Sequence, residues 1–244
     1  MSATPLELVR QARAAALTTR KGRPVPLELE PGLTYGELAD FGSRLPCPIP
    51  PHVRELMAYT SGFTGGAVGL VDLTSRKCDF EFYAAFPHGR PIAADGFGNF
   101  WVIDLLPDST DWGPIYFVCH DPAVILYQSA TLQDFLDALF KASVSPYTSL
   151  LNDVLEDRLF RVWSSNPGVL AHQQASASSD PEIRAFAESL DPSYEIIDMR
   201  QAPVGFGFSW GRYGPQTEVR RHGTSRIFAY QQRKKTLLQR VFGR

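Results

Sequence analysis

Between residues 90 and 142 the chain carries three short apolar runs followed at once by an amphipathic helix, and this order limits the possible folds more than any other feature. The runs cover residues 100–105, 115–119 and 124–127. Asp95-Gly96 and Gly98-Asn99 precede the first run, Pro107-Asp108 and Gly113-Pro114 follow it, and Asp121-Pro122 divides the second from the third. Gly, Asn and Asp tolerate the backbone angles of a reversal, and proline lacks the amide that a central strand must donate. The pattern predicts neighbouring antiparallel strands. Leu132, Phe135, Leu136, Leu139 and Phe140 then recur at helical spacing and form one apolar stripe. Thr131 suits the N-cap of that helix, and Asp134 favours its positive start. A meander closed by one such helix is a small α+β core.

Upstream, residues 33–61 read as helix, break, helix. Gly36 and Gly42 interrupt the first helix, and the Pro-Cys-Pro-Ile-Pro-Pro stretch ending at Pro51 cannot be helical. Pro51 suits the first turn of the second helix, where a missing amide costs nothing. Val53, Leu56, Met57 and Thr60 form its inner stripe, with Gly62 as the expected C-cap. Residues 63–73 and 78–86 supply two more strands. Asp79-Phe80-Glu81-Phe82 alternates as a strand with one wet face does. Residues 1–31 hold a short helix around 6–17, and then Pro24, Pro26 and Pro31 break any regular element.

Taken in order, these residues resemble a known family. The series is Leu45-Pro46, Ile49-Pro50-Pro51, a helix ending in Tyr59-Thr60-Ser61-Gly62, the Asp95-Gly96 turn, the strand of residues 100–104, and Thr131-Leu132-Gln133-Asp134-Phe135-Leu136. It is similar to the SUKH superfamily, which includes yeast cell-wall regulators of the Smi/Knr type, over roughly residues 33–141. The resemblance implies an α+β fold with a central antiparallel sheet packed by helices. For a bacterial chain it implies an immunity protein that binds and blocks a cognate polymorphic toxin, and some eukaryotic relatives act as scaffolding regulators. The expected division is an N-terminal arm (1–32), a SUKH-like domain (33–145), and a C-terminal α/β extension with helices and a small sheet (146–244).

Within the extension, Leu150, Leu151, Val154, Leu155 and Leu159 predict a helix, and residues 164–181 read as a polar loop. A helix over 181–190 is capped by Asp180, and residues 194–199 form a strand. Phe206, Phe208 and Trp210 fall on one face of an extended segment, and Gly211 to Pro215 is a turn cluster. Residues 218–221 and 227–230 complete a small sheet, ahead of the Arg233-Lys234-Lys235 run.

Composition enters where chemistry is at issue. At 44% apolar and 20% charged the chain is an ordinary globular one. No run approaches the ~20 apolar residues of a membrane span, and no secretory leader pattern opens it. Cys47, Cys78 and Cys119 are odd in number and lack metal-type spacing, so a reducing, cytoplasmic setting is expected. Net charge is −2 but uneven: residues 1–24 hold five bases and one acid, residues 25–200 ten bases and 24 acids, and residues 201–244 nine bases and one acid.

The histidines share no zinc spacing. The glycine-rich Gly62 to Gly69 stretch lacks the Lys-Ser/Thr of a phosphate loop, and no Gly-x-Ser-x-Gly occurs. His120-Asp121 reads as turn chemistry beside Pro122. The expectation is therefore no enzyme, no catalytic residue, no cofactor and no metal. What stands out is acid beside aromatic side chains: Asp95, Asp104, Asp108, Asp111 and Trp112 are the expected partner-binding residues, set against a basic toxin surface. The same carboxylates also read as turn caps, and alternation does not say whether Trp101 or Trp112 is the wet one. A nucleic-acid role for the basic tail, with Phe206, Phe208, Trp210 and Tyr213 stacking on bases, stands third. For those aromatics a packed sheet face is the expectation.

Overall fold

The computed structural model describes residues 3–77, 84–210 and 217–231. The chain begins with α1 (Pro5–Ala14), β1 (Glu28–Leu29), α2 (Tyr35–Ser43) and α3 (Pro51–Tyr59). A run of strands follows: β2 (Gly62–Thr64), β3 (Leu70–Asp72), β4 (Gly89–Ala94), β5 (Phe100–Asp104), β6 (Ile115–His120) and β7 (Ala123–Ser129). Then come α4 (Leu132–Lys141), α5 (Leu150–Asp153), a π-helical turn (Val154–Arg158), and α6 (Leu159–Ser165). The last part holds β8 (Val169–Ala171), α7 (His172–Ser176), α8 (Pro181–Glu188), β9 (Tyr194–Asp198), β10 (Gly207–Ser209), β11 (Val219–Arg221) and β12 (Ile227–Gln231).

Two antiparallel sheets stack face to face. The larger runs β1-β2-β3-β4-β5-β6-β7-β10 and the smaller β11-β12-β9-β8. Trp101, Ile103, Ile115, Phe117, Cys119, Val124 and Leu126 point to one face of the large sheet, where α1, α3 and α4 pack with Val9, Leu56, Phe135 and Leu139. Val102, Tyr116, Val118, Ile125 and Tyr127 point to the other face, where they meet Ile197, Phe208, Phe228 and Tyr230. The outer face of the small sheet is closed by Ala175, Ile183, Phe186 and Ala187 from α7 and α8. The order is therefore helices, sheet, sheet, helices. Each large apolar side chain taken from water adds ~1.5–3 kcal/mol of driving force. With both faces covered, alternate residues bury in different cores, and β5 to β7 read as unbroken apolar runs despite antiparallel pairing.

The α4 expectation holds: Thr131 Oγ1 accepts from Asp134 N at 3.1 Å, and Phe135 and Leu139 are fully buried. α8 likewise starts at Asp180, whose Oδ1 accepts from Glu182 N and Ile183 N. Other expectations change. Gly36 and Gly42 do not break α2, which is held at its start by a reciprocal cap between Thr34 and Glu37. Gly62 is a strand residue rather than a cap, because a Cβ there would collide with the Val71 carbonyl across the β2–β3 pair. Residues 89–94, unassigned by pattern, form β4, with a bulge between Pro91 and Ala93 that accommodates the missing proline amide. The polar stretch 164–181 contains β8 and α7, elements too short to show a period.

Segments on both sides of this core join the central sheet. The N-terminal arm packs Val9, Ala12 and Leu17 into the helix-side core and contributes β1. β10 pairs with β7 instead of with the small sheet, and Gly207 lets its backbone lie against the Ile125 carbonyl. Phe208 and Trp210 are buried between the sheets, as the packed-face reading expected. The expected strand at Asp79–Phe82, Cys78, the turn cluster with Tyr213 and the basic run at 233–235 lie outside the described residues.

Candidate functional site

Strand register fixes which turns share an end of the large sheet. Leu70 opposite Ala94 and Phe100 opposite Val118 bring the β2–β3, β4–β5 and β6–β7 turns to one end. Gly89 opposite Asp104 and Ile103 opposite Ile115 send the β5–β6 loop to the other. The five acid and aromatic residues singled out from sequence therefore do not converge. Asp95 is at the first end, while Asp108, Asp111 and Trp112 are at the second.

Two of them are not surface residues at all. Trp112 is 1% exposed and packs edge-on against Phe41, with ring centroids 6.4 Å apart. The loop around it is built to bury it: Asp111 Oδ1 accepts from Trp112 N at 2.7 Å and lies 3.1 Å from His52 Nε2, and the Trp112 carbonyl accepts from Leu132 N. Asp104 is 0% exposed and faces the small sheet, where Arg221 Nη1 lies 2.7 Å from its Oδ2. Burial holds the Asp104 carboxyl above the usual carboxylate range, although Arg221, His88 and Arg226 pull the other way. Neither side chain can meet a partner on this surface. Their spacing suggested exposed turns, but Trp112 plugs the end of the helix-side core and Asp104 ties the two sheets together.

The turn end presents a different arrangement. Asp95 Oδ1 accepts from Phe97 N at 2.8 Å and Asn99 N at 3.3 Å, and Oδ2 accepts from Asn99 Nδ2 at 2.7 Å. Gly96 (φ +79°) and Gly98 (φ +86°) supply the left-handed conformations that let the carboxylate gather these donors. Asn99 Oδ1 lies 3.2 Å from His120 Nδ1 and accepts from His120 N, which joins this turn to the β6–β7 turn with exposed His120 and Asp121. The result is that Phe97, between two glycines, stands 80% exposed at the tip of a braced loop. Among the described residues Tyr35, at 85%, and Phe160, at 58%, are also exposed, but Phe97 stands on a turn braced by side-chain hydrogen bonds. Sequence reasoning did not select Phe97. The signal was there: a Phe flanked by Gly at the tip of a two-stranded turn is too far from either core to bury.

No group of three or more His, Cys, Asp or Glu side chains that could hold a metal occurs among the described residues. No helix among them is long and apolar enough to cross a membrane.

Residues 32–138 match the model of the SMI1 / KNR4 family (SUKH-1). No curated protein and no solved structure matches the chain. The matched span runs from the approach to α2 through β7 into α4, and leaves α1, β1, β10 and the small sheet outside it.

Proposed function

Residues 32–138 are a SUKH-superfamily domain, and on that premise we propose that the chain is a non-catalytic binding protein that neutralises a cognate toxin by covering its active surface. The observation that carries this reading is Phe97, an exposed aromatic on a turn braced by Asp95 and joined to His120 and Asp121. An aromatic anchor that enters a partner's pocket typically carries ~2 kcal/mol or more of binding energy. A turn already fixed by three hydrogen bonds to the Asp95 carboxylate loses little entropy on docking. Asp95 and Asp121 beside it speed the encounter with a basic partner, because opposite charges steer diffusion. The loop carrying Asp108 and Asp111 belongs to the opposite end and is the natural control surface.

The test uses cells expressing a toxin encoded beside this gene. Phe97→Ala with Asp121→Lys is expected to abolish protection while leaving the melting temperature unchanged. Asp108→Lys with Asp111→Lys is expected to protect as the parent does. Full protection by the first pair would overturn the proposed surface. Undiminished binding without any protection would favour a regulatory adaptor over an immunity protein.

A further inference from the structure

A second site lies at the opposite end of the large sheet, independent of the Phe97 turn. The segment after α2 and the segment leading into β4 enclose a cleft of about 390 Å³. Its described walls are Leu45, Pro46 and Pro87, and its polar groups are Arg44, His88 and Arg90. Gly89 makes this geometry possible. Its amide donates to the Phe86 carbonyl at 2.9 Å, and a Cβ there would press on Phe86 and Val102, so the chain can turn tightly and set His88 and Arg90 on either side.

The charge here runs against the rest of the domain. Residues 25–145 hold fifteen acids and six bases, yet two of those six bases line this one cleft and no carboxylate does among its described lining residues. Arg44 reaches back to Asp40 through Nη2 at 3.0 Å and through Nε to the Asp40 carbonyl at 3.3 Å. That explains part of its presence, as a cation at the end of α2. Arg90 has no such explanation: among the described residues no carboxylate or carbonyl pairs with its guanidinium. Another cleft, near Tyr147 and Ser149, differs on this point. Its charges are already matched, Arg20 to Glu156 at 2.6 Å and Asp153 to Arg158 at 3.2 Å.

We propose that the cleft between the end of α2 and the start of β4 binds a small ligand carrying an oxyanion, a phosphate or a carboxylate, on a compact apolar body. The Arg90 guanidinium takes the anion as a planar fork, the geometry that suits both groups. Arg44 adds a second cation, and the His88 ring adds a further hydrogen-bonding group. Leu45, Pro46 and Pro87 form a rigid apolar wall for the body of the ligand. The volume falls in the range of small-molecule sites, ~300–1,000 Å³.

The test is an NMR titration of the full chain with phenyl phosphate, benzoate, inorganic phosphate and benzyl alcohol. Phenyl phosphate or benzoate should give saturable shifts confined to residues 43–46 and 87–90, and whichever binds tighter identifies the anion. Arg90→Gln should weaken that binding by about tenfold or more. Arg54→Gln, an exposed arginine on α3 outside the cleft, should leave it unchanged. Equal binding of benzyl alcohol, or equal affinity for inorganic and phenyl phosphate, would overturn the two-part site. So would an Arg90→Gln protein that folds and binds as the parent does. If Arg90→Gln alters the melt, Arg44→Gln and His88→Gln carry the test, and full binding by both would overturn the proposal. Loss of this site with intact toxin protection would leave the Phe97 surface standing, and the reverse holds equally.

Discussion

The two faces of the large sheet are buried equally well but in different ways. The helix-side face is closed by apolar side chains from α1, α3 and α4, the first two preceding the strands they cover and the third following them. The face toward the small sheet is closed by β9, β11 and β12, which arrive about a hundred residues later, and it contains polar groups. Asp104 and Arg221 form a buried pair across it. The Tyr116 hydroxyl is buried there too, and loss of water is the chief reason its proton is held well above the usual phenol range. Asn166 bridges both sheets: its Nδ2 donates to Tyr230 Oη at 2.6 Å and its Oδ1 accepts from Ser209 N at 2.7 Å. An apolar contact tolerates several registers, whereas a buried ion pair is satisfied in one. The contrast teaches that the helix-side face is held mainly by contact area, with a buried hydrogen bond from Trp101 Nε1 to Gln128 Oε1, whereas the other face is oriented by an ion pair and further polar partners.

The largest expected effect comes from removing one cover entirely. A chain ending at residue 145 loses β10 and the small sheet, and so exposes Val102, Tyr116, Val118, Ile125 and Tyr127 together. It should fail to give a monomer with a cooperative melt. A stable 1–145 monomer would show that the second face does not depend on its cover.

Phe135→Ala probes the helix side. The ring is fully buried and lies 6.1 Å from Trp101, so the change should cost ~3–5 kcal/mol in a denaturant melt. Asp104→Ala probes the other side and should cost a similar ~3–5 kcal/mol, because Arg221 is left buried without its partner. The two faces separate in the double variant. Asp104→Leu with Arg221→Met should recover most of that loss, whereas no second substitution offsets the cavity left by Phe135. A double variant as unstable as Asp104→Ala would remove the ion pair from the account.

Much of this was legible in the sequence, and the misses share a cause. Thr131, Phe135 and Leu139 declared α4 because a helix repeats its signal every turn. The strands at 100–104 and 115–120 were visible as apolar runs, but the runs could not say that each alternate residue belongs to a different core. Long-range pairing leaves no local trace. Nothing near Gly207 announces that it pairs with Leu126, and nothing near Asp104 announces Arg221. The same blindness misled the site. Trp112 beside Asp111 looks like a surface anchor until α2 brings Phe41 against it. Phe97 could have been found, since its two flanking glycines keep it from any core.

A smaller effect separates the outer layer of the small sheet from both cores. Arg200 donates to Asp180 at 2.6 Å, to Glu182 at 2.7 Å and to both oxygens of Asp198, pinning α8 to β9. Hydrogen bonds from Arg200 hold Asp180 and Asp198 below the usual carboxylate range. A lowered folded-state value means that stability is fully present above the unfolded value near ~4 and is lost as pH falls through the folded one. Arg200→Gln should therefore cost about 1 kcal/mol at neutral pH, modest because these groups are about a third exposed. Its melting temperature should depend less on pH below about 4 than the parent's does. An unchanged acid profile would show that these carboxylates do not depend on Arg200.

The central functional claim is that the turn end of the sheet, not the loop end, meets the partner. Hydrogen exchange of the full chain, alone and bound to a toxin that it is found to neutralise, tests this directly. The account predicts new protection at residues 95–99 and 119–122 and none at 107–112. Protection confined to 107–112, with residues 95–99 exchanging as in the free protein, would contradict it.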